Sequence, residues 1–285
     1  MPSALTTLIS AAQLHAEINN PDFLVIDCRF SLADTEQGEA AYAVSRIPGA
    51  QYAHLDRDLS GDIVEGLTGR HPLPEKEVLA ARFRQLGVSN HSQIVVYDDK
   101  AGAIASRFWW LSRWLGHSAC AVLDGGFSAW QRAAYPLQSN TPKRCEPGNF
   151  EPKQALFNTV DKQRVLDETN YLIDAREAER YKGEHEPIDP VAGHIPGAVN
   201  KPFMENLNTD GTFKSKAMLQ QRFDSVIAEA ASRTLVHYCG SGVTAAHNML
   251  AMCIAERNPG SLFAGSFSEW ITGSGEQFPV VRQDD

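Results

Sequence analysis

The sequence predicts an α/β fold made twice over. Three observations carry that expectation. Short apolar runs alternate with helical periodicities, which is the pattern of a mainly parallel sheet flanked by helices. The same motifs return in the same order about one domain length later in the chain. Between the two sets lies a polar stretch, Ser139–Lys153, punctuated by Pro142, Pro147, Gly148 and Pro152, which has the composition of a linker.

Taken in order, Ser10 followed by Gln13 has capping-box spacing and opens a short helix through Ile18. Phe23–Asp27 is a buried strand closed by Cys28 and Arg29. Arg46-Ile-Pro-Gly-Ala50 is a turn leading into a short strand near Gln51–Leu55, and Asp56–Pro74, rich in glycine and proline, is a long loop. Glu75–Leu86 has helical periodicity and stops at Gly87; Gln93–Tyr97 is a second strand. A helix over Ala105–Leu115 ends at Gly116. It is followed by a strand at Ala119–Leu123, the turn Asp124-Gly-Gly and a last helix over Phe127–Arg132.

The pattern then restarts. Asn158 followed by Asp161 can cap a helix through Leu166. Tyr171-Leu-Ile-Asp-Ala-Arg176 echoes Phe23–Arg29, and His194-Ile-Pro-Gly-Ala198 echoes the first Ile-Pro-Gly-Ala turn. Leu235–Tyr238 echoes Val95–Tyr97, and Ala264-Gly-Ser-Phe-Ser-Glu-Trp270 echoes Asp124-Gly-Gly-Phe-Ser-Ala-Trp130. Five ordered matches predict an internal duplication, with copies over residues 5–138 and 154–285 and a linker at 139–153. Each copy is near the usual size of one domain.

Bulk properties narrow the function. The 285 residues carry a net charge of −9, which argues against nucleic acid or an anionic membrane as the main partner. No stretch approaches ~18 continuous apolar residues, so no membrane span is expected. The first residues lack a charged start and an apolar core, so no signal peptide is expected either. Five cysteines, odd in number and widely spaced, fit neither a disulfide framework nor a metal pattern, and point to a reducing cytoplasm.

The chemistry is concentrated between Leu235 and Asn248. An apolar strand ends at Tyr238, Cys239 follows at once, and after Gly240-Ser-Gly242-Val243 a helix begins near Thr244. A cysteine between a strand end and a helix start faces backbone N–H groups that have no helical partner, and the positive end of the helix dipole favours thiolate over thiol. Gly240 and Gly242 allow a tight ring of amides around the sulfur, because they tolerate backbone angles that a Cβ would forbid. In the first copy the matching residue is Asp98, which cannot carry sulfur. One active copy and one degenerate copy are therefore expected.

These residues resemble the two-domain rhodanese-like sulfurtransferases. The tandem layout, the Ile-Pro-Gly-Ala turns, the Gly-Phe-Ser-x-Trp ends and the loop Cys239-Gly-Ser-Gly-Val-Thr-Ala245 carry the resemblance, which spans nearly the whole chain. Within that family the uncharged loop looks like that of mercaptopyruvate sulfurtransferases; thiosulfate sulfurtransferases usually carry basic residues there. The resemblance implies a tandem duplication of a rhodanese-like domain with a persulfide on Cys239. No cofactor is implied. The donor would be mercaptopyruvate or, alternatively, thiosulfate, and the acceptor a thiol such as thioredoxin or glutathione, or cyanide. It assigns Arg180 to the donor carboxylate, a role suited to a planar fork, and joins Ser241, His71 and Asp56 in a proton relay. Gly240, Gly242, Val243 and Thr244 would line the sulfur. The family's second carboxylate-binding arginine has no counterpart here: Ile188 stands nearest its place, so that one arm of the clamp is either missing or supplied by Arg70, Arg107 or Lys182.

Blander readings compete at most positions. Cys28, Cys120, Cys145 and Cys253 read as small hydrophobes. Ser241 can serve only as a helix cap, and Arg180 as a surface charge beside Glu177 and Glu184. His194 and Arg46 share a repeat position and read as structural, as do Trp130 and Trp270. His237 and His247 have no partners at ligand spacing, so no metal is expected. A Cys-x5-Arg phosphatase loop is excluded because Ala245 stands where the arginine would be, and a P-loop because no lysine is present.

Overall fold

The computed structural model describes residues 4–141, 145–273 and 277–282; Pro142 of the expected linker and the last residues of the second copy lie outside them. The described residues gather into two compact units. The first falls within Met1–Ser60, Pro74–Leu156 and Thr209–Phe213, the second within Gly61–Leu73, Phe157–Asn208 and Lys214–Asp285. The later part of the long first-copy loop thus packs with the second copy's elements, and a short second-copy segment packs with the first.

The first unit holds β1 (Leu8–Ile9), α1 (Ala11–Glu17), β2 (Phe23–Asp27), α2 (Gln37–Val44), β3 (Gln51–Tyr52), α3 (Lys76–Gln85), β4 (Gln93–Tyr97), α4 (Ala105–Trp114), β5 (Cys120–Leu123) and α5 (Gly126–Arg132). Its strands form one parallel sheet in the order β1-β5-β4-β2-β3. The capping box forms as the sequence predicts: Ser10 Oγ accepts the Gln13 N–H at 3.2 Å, and Gln13 Oε1 accepts the Ser10 N–H at 3.0 Å. Gly87 and Gly116 close α3 and α4 with φ of 88° and 82°, the left-handed conformation that favours glycine after a helix.

The second unit repeats the plan with β6 (Asn158–Thr159), β7 (Asn170–Asp174), α6 (Ala178–Lys182), β8 (Val199–Asn200), α7 (Lys216–Ala230), β9 (Thr234–Tyr238), α8 (Thr244–Ile254), β10 (Ser261–Leu262) and α9 (Ser266–Trp270). Its parallel order is β6-β10-β9-β7-β8, the same as the first. One expectation fails. Asn158 does not cap a helix: its backbone is drawn into the sheet opposite Ser261. Only a single 3₁₀ turn, Lys162–Arg164, follows, and Asp161 makes no side-chain cap there.

One buried network recurs in both units and fixes the end of the central strand. In the first, Arg29 pairs with Asp27 at 2.6 Å, Tyr97 Oη donates to Asp27 at 2.7 Å, and the guanidinium lies 4.3 Å over the Phe127 ring. In the second, Arg176 pairs with Asp174 at 2.6 Å and lies 4.0 Å over Phe267, while Tyr238 hydrogen-bonds Asp174. Each arginine lies in fully packed surroundings, so its charge is kept by geometry and partners rather than by water. Trp130 and Trp270 fill matching core positions, each donating Nε1–H at 2.9 Å to the carbonyl of Pro136 or Pro279. Arg46 and His194 occupy matching bridges, to Gln138 and Val281 respectively, in keeping with a structural role.

Candidate active site

Network and loop meet at Tyr238, which ends β9 and places Cys239 beyond the carboxyl end of a central strand, where ligands of parallel sheets bind. Cys239 is 2% exposed. Its carbonyl accepts the Phe267 N–H at 3.0 Å, as the Asp98 carbonyl accepts that of Phe127 at 2.8 Å. The two loops are therefore structural counterparts.

What the first loop holds shows what this backbone shape binds. The Asp98 carboxyl is wholly buried and accepts four backbone amides, those of Lys100 and Gly102 on one oxygen and of Ile104 and Ala105 on the other, each at 2.8 Å. Burial pushes this carboxyl up from its ordinary value, and the four amides pull against that shift. The loop of the first copy is an anion cradle filled by its own side chain.

In the second copy the first residue is a thiol, and three features surround it. Ser266 Oγ accepts the Cys239 N–H at 3.0 Å. Ser266 stands where the first copy has Gly126 and keeps that glycine's left-handed conformation, φ 54° against 58°, which costs a Cβ-bearing residue about 1 kcal/mol. Gly242 has φ 76°, and a Cβ there would stand 2.1 Å from the Ala264 carbonyl oxygen. Only glycine fits. Val243, at the start of α8, is 5% exposed, and its carbonyl accepts the Ala246 N–H at 3.2 Å; Thr244 opens the helix.

Residues 61–73 bring two polar side chains to this loop. Gly69 lets that segment approach the 265–268 turn, since a Cβ there would meet the Gly265 carbonyl and Ser268 Oγ at 2.6 Å, and the Arg70 N–H donates to Ser268 Oγ at 3.1 Å. His71 Nδ1 then lies 2.7 Å from Ser241 Oγ, both residues being buried. Arg70 reaches Gly240 from the same segment. Asp56 belongs to the first unit, in a turn where its N–H donates to His54 Nδ1 at 3.1 Å.

Arg180 comes from α6. Its Nε donates to both oxygens of Glu186 at 3.0 Å and its Nη2 to Asp189 at 2.9 Å; Glu177 lies 3.8 Å from Nη1. The fork is thus built into the site rather than spread on the surface. Burial opposes ionisation of Glu186, but hydrogen bonds from Arg180 and from the Asp189 and Ile188 amides outweigh it and hold the carboxyl below its usual range. Measured from where a Cβ on Gly240 would stand, Arg70 Nη2 is 2.8 Å away and Arg180 Nη2 and Nη1 are 3.4 and 3.6 Å away. Arg180→Ala is expected to lower kcat/KM for a carboxylate-bearing donor more than tenfold, the scale of one or two charge-assisted bonds at about 1.5–3 kcal/mol each; steady-state kinetics checks it.

Sequence reasoning did not find Glu186, Asp189 or Ser266. The first two sit in a polar loop that reads as surface. Ser266 does leave a signal, as the one glycine of the first copy's turn, Gly126, that the second copy replaces. Lys182 pairs with Glu184 at 3.8 Å. Burial pushes the Cys120 thiol up to about 11 and raises those of Cys28 and Cys145 as well. His237 is buried and its pKa lowered to about 4, so it is uncharged at neutral pH. Among the described residues no group of three His, Cys, Asp or Glu side chains could hold a metal, and no helix is long and apolar enough to cross a membrane.

A twofold-repeated parallel α/β unit with a cysteine loop in one copy and an aspartate-filled cradle in the other defines a tandem-domain protein with one thiol site. The chain belongs to the rhodanese-like family, whose domain model matches residues 10–133 and 158–272. It is similar to the "Probable 3-mercaptopyruvate sulfurtransferase" of Pseudomonas aeruginosa, with 45% identity over 93% of this chain and 95% of that one. It is also similar to the thiosulfate sulfurtransferase of Bos taurus, at 32% identity over 88% of this chain and 86% of that one. The solved structure of 3-mercaptopyruvate sulfurtransferase from Leishmania major superposes with a TM-score of 0.82 at 27% identity, covering 93% of this chain and 74% of that one.

Proposed function

We propose that the chain is a sulfurtransferase that moves sulfane sulfur from 3-mercaptopyruvate to a thiol or cyanide through a persulfide on Cys239. The observation that carries this reading is the convergence on one loop of a cysteine, a Ser241–His71 pair and two guanidinium groups over Gly240. The Cys239 thiolate attacks the donor sulfur. The carbon–sulfur bond breaks with its electron pair on carbon, and pyruvate leaves as its enolate. Ser241 and His71, with Asp56 by family resemblance, take the proton of the donor thiol and return one to the enolate carbon. The donor sulfur is oxidised to the sulfane level as the carbon is reduced, so no outside oxidant enters. A second thiolate, such as that of thioredoxin or glutathione, then attacks the outer sulfur and restores the Cys239 thiolate. Gly240, Gly242, Val243 and Thr244 would line the persulfide, which carries negative charge and suits a cradle of the kind Asp98 fills in the other copy.

In this reading residues 154–285 are the catalytic copy, 139–153 the linker and 5–138 the degenerate copy, in a protein of the cytoplasm. Thiosulfate is the alternative donor. The test compares second-order rates of sulfur loading from each donor. Mercaptopyruvate is expected to be faster, and Cys239→Ser to load from neither. Faster loading from thiosulfate reverses the donor assignment, and equal loading of the serine variant removes the mechanism.

A further inference from the structure

The place before the second Ile-Pro-Gly-Ala turn, where a second carboxylate-binding arginine is absent, supplies anions instead. Ile188 is exposed, and its N–H donates to Glu186 Oε1 at 3.0 Å; the neighbouring Asp189 carboxylate is 1% exposed. Asp189 divides its oxygens, one to Arg180 Nη2 at 2.9 Å and the other to Arg70 Nη1. The two guanidiniums are thereby held side by side against Gly240. Arg70 Nε is buried with no hydrogen-bond partner among the described residues. A buried donor left unmatched is costly, and such an atom at a ligand site marks where an acceptor is wanted.

We infer that Arg70 is the second arm of the donor's carboxylate site, and that Asp189 is the positioning residue that sets Arg70 and Arg180 as a pair. The inference rests on the proposed reading and narrows it to a substrate class. Arg70, Arg176 and Arg180 are more than matched in formal charge by Asp174, Glu177, Glu186 and Asp189. The cluster therefore offers directed N–H groups with no surplus positive charge, which suits the monoanionic carboxylate of a 3-mercapto-2-oxo acid over a dianion such as thiosulfate.

The test separates binding from chemistry. Calorimetric titration of the Cys239→Ser chain with mercaptopyruvate reads binding where no sulfur can move. Adding Arg70→Gln is expected to weaken binding at least tenfold. Arg70→Lys keeps the charge without the fork and should give an intermediate loss, which also serves if the glutamine variant folds poorly. Asp189→Asn, in the chain with Cys239 intact, should raise KM at least fivefold while kcat stays within about twofold, a split that a general loss of structure would not give. Binding within twofold of the parent in Arg70→Gln, or no heat in the parent itself, overturns the role of Arg70. A KM unchanged or lowered in Asp189→Asn overturns that of Asp189. Failure of the sulfurtransferase reading shows separately, as no one-sulfur mass gain on the unaltered chain.

Discussion

Gly242→Ala is expected to reduce sulfur loading at least a hundredfold and to lower stability by about 3 kcal/mol or more. Two costs coincide at this position. A Cβ-bearing residue at φ 76° is strained by about 1–3 kcal/mol. In addition the new carbon would stand 2.1 Å from the Ala264 carbonyl oxygen and 2.9 Å from its carbonyl carbon, so backbone rather than a flexible side chain must move. The segment that would move includes Ser266, which holds the Cys239 amide. Gly240→Ala is the informative contrast. Its Cβ meets the end of the Arg70 side chain at 2.8 Å, and a guanidinium can swing away. That variant should fold normally and lose donor affinity while keeping most of kcat. Paired thermal melts and single-turnover rates separate the two, and equal behaviour of the two alanine variants would contradict these distinct roles in the loop.

The second large effect lies in the first copy. Asp98→Ala removes the acceptor of four buried amides. Even with partial relaxation, one to three kcal/mol for each amide that stays unmatched leads us to expect a loss of about 3 kcal/mol or more, read as a shift of the denaturant midpoint. Asp98→Asn keeps one oxygen acceptor and should lose less. Sulfur loading per folded chain should be unchanged in both, because the reacting thiol lies in the other unit's loop. A stable Asp98→Ala chain would show that the cradle does not need an anion.

These two positions also show how far the sequence is legible. Repeats reveal themselves through punctuation and apolar runs, so the central strands of both sheets, the Ser10 cap and the cysteine loop follow from the residues alone, whereas the two-residue strands β1, β6, β8 and β10 do not. The Asp98 substitution is readable as loss of chemistry, though not as a carboxylate filling the cradle, because amide geometry leaves no mark in composition. Helix α7 announces itself only in its own periodicity, with Leu219, Phe223 and Val226 turned inward, and no repeated motif points to it. At Asn158 the cap spacing misled, since pairing with β10 outweighs a local helix signal. Least legible is the Arg70–Asp189–Arg180 triad. Arg180 in α6 is named only through the family resemblance, Arg70 and Asp189 are charged residues in polar loops, and Arg70 is 119 residues from Asp189 in the chain. Nothing local distinguishes them from solvated surface.

That one thiol, in one copy, carries the sulfur is tested most directly by mixing the chain with excess mercaptopyruvate in the absence of any acceptor. Pyruvate released and the intact and peptide masses are then measured. The expected result is a single burst of one pyruvate per chain, one added sulfur, and its location on the peptide containing Cys239. A burst without a sulfur adduct, or an adduct on Cys145 or another thiol, would contradict it.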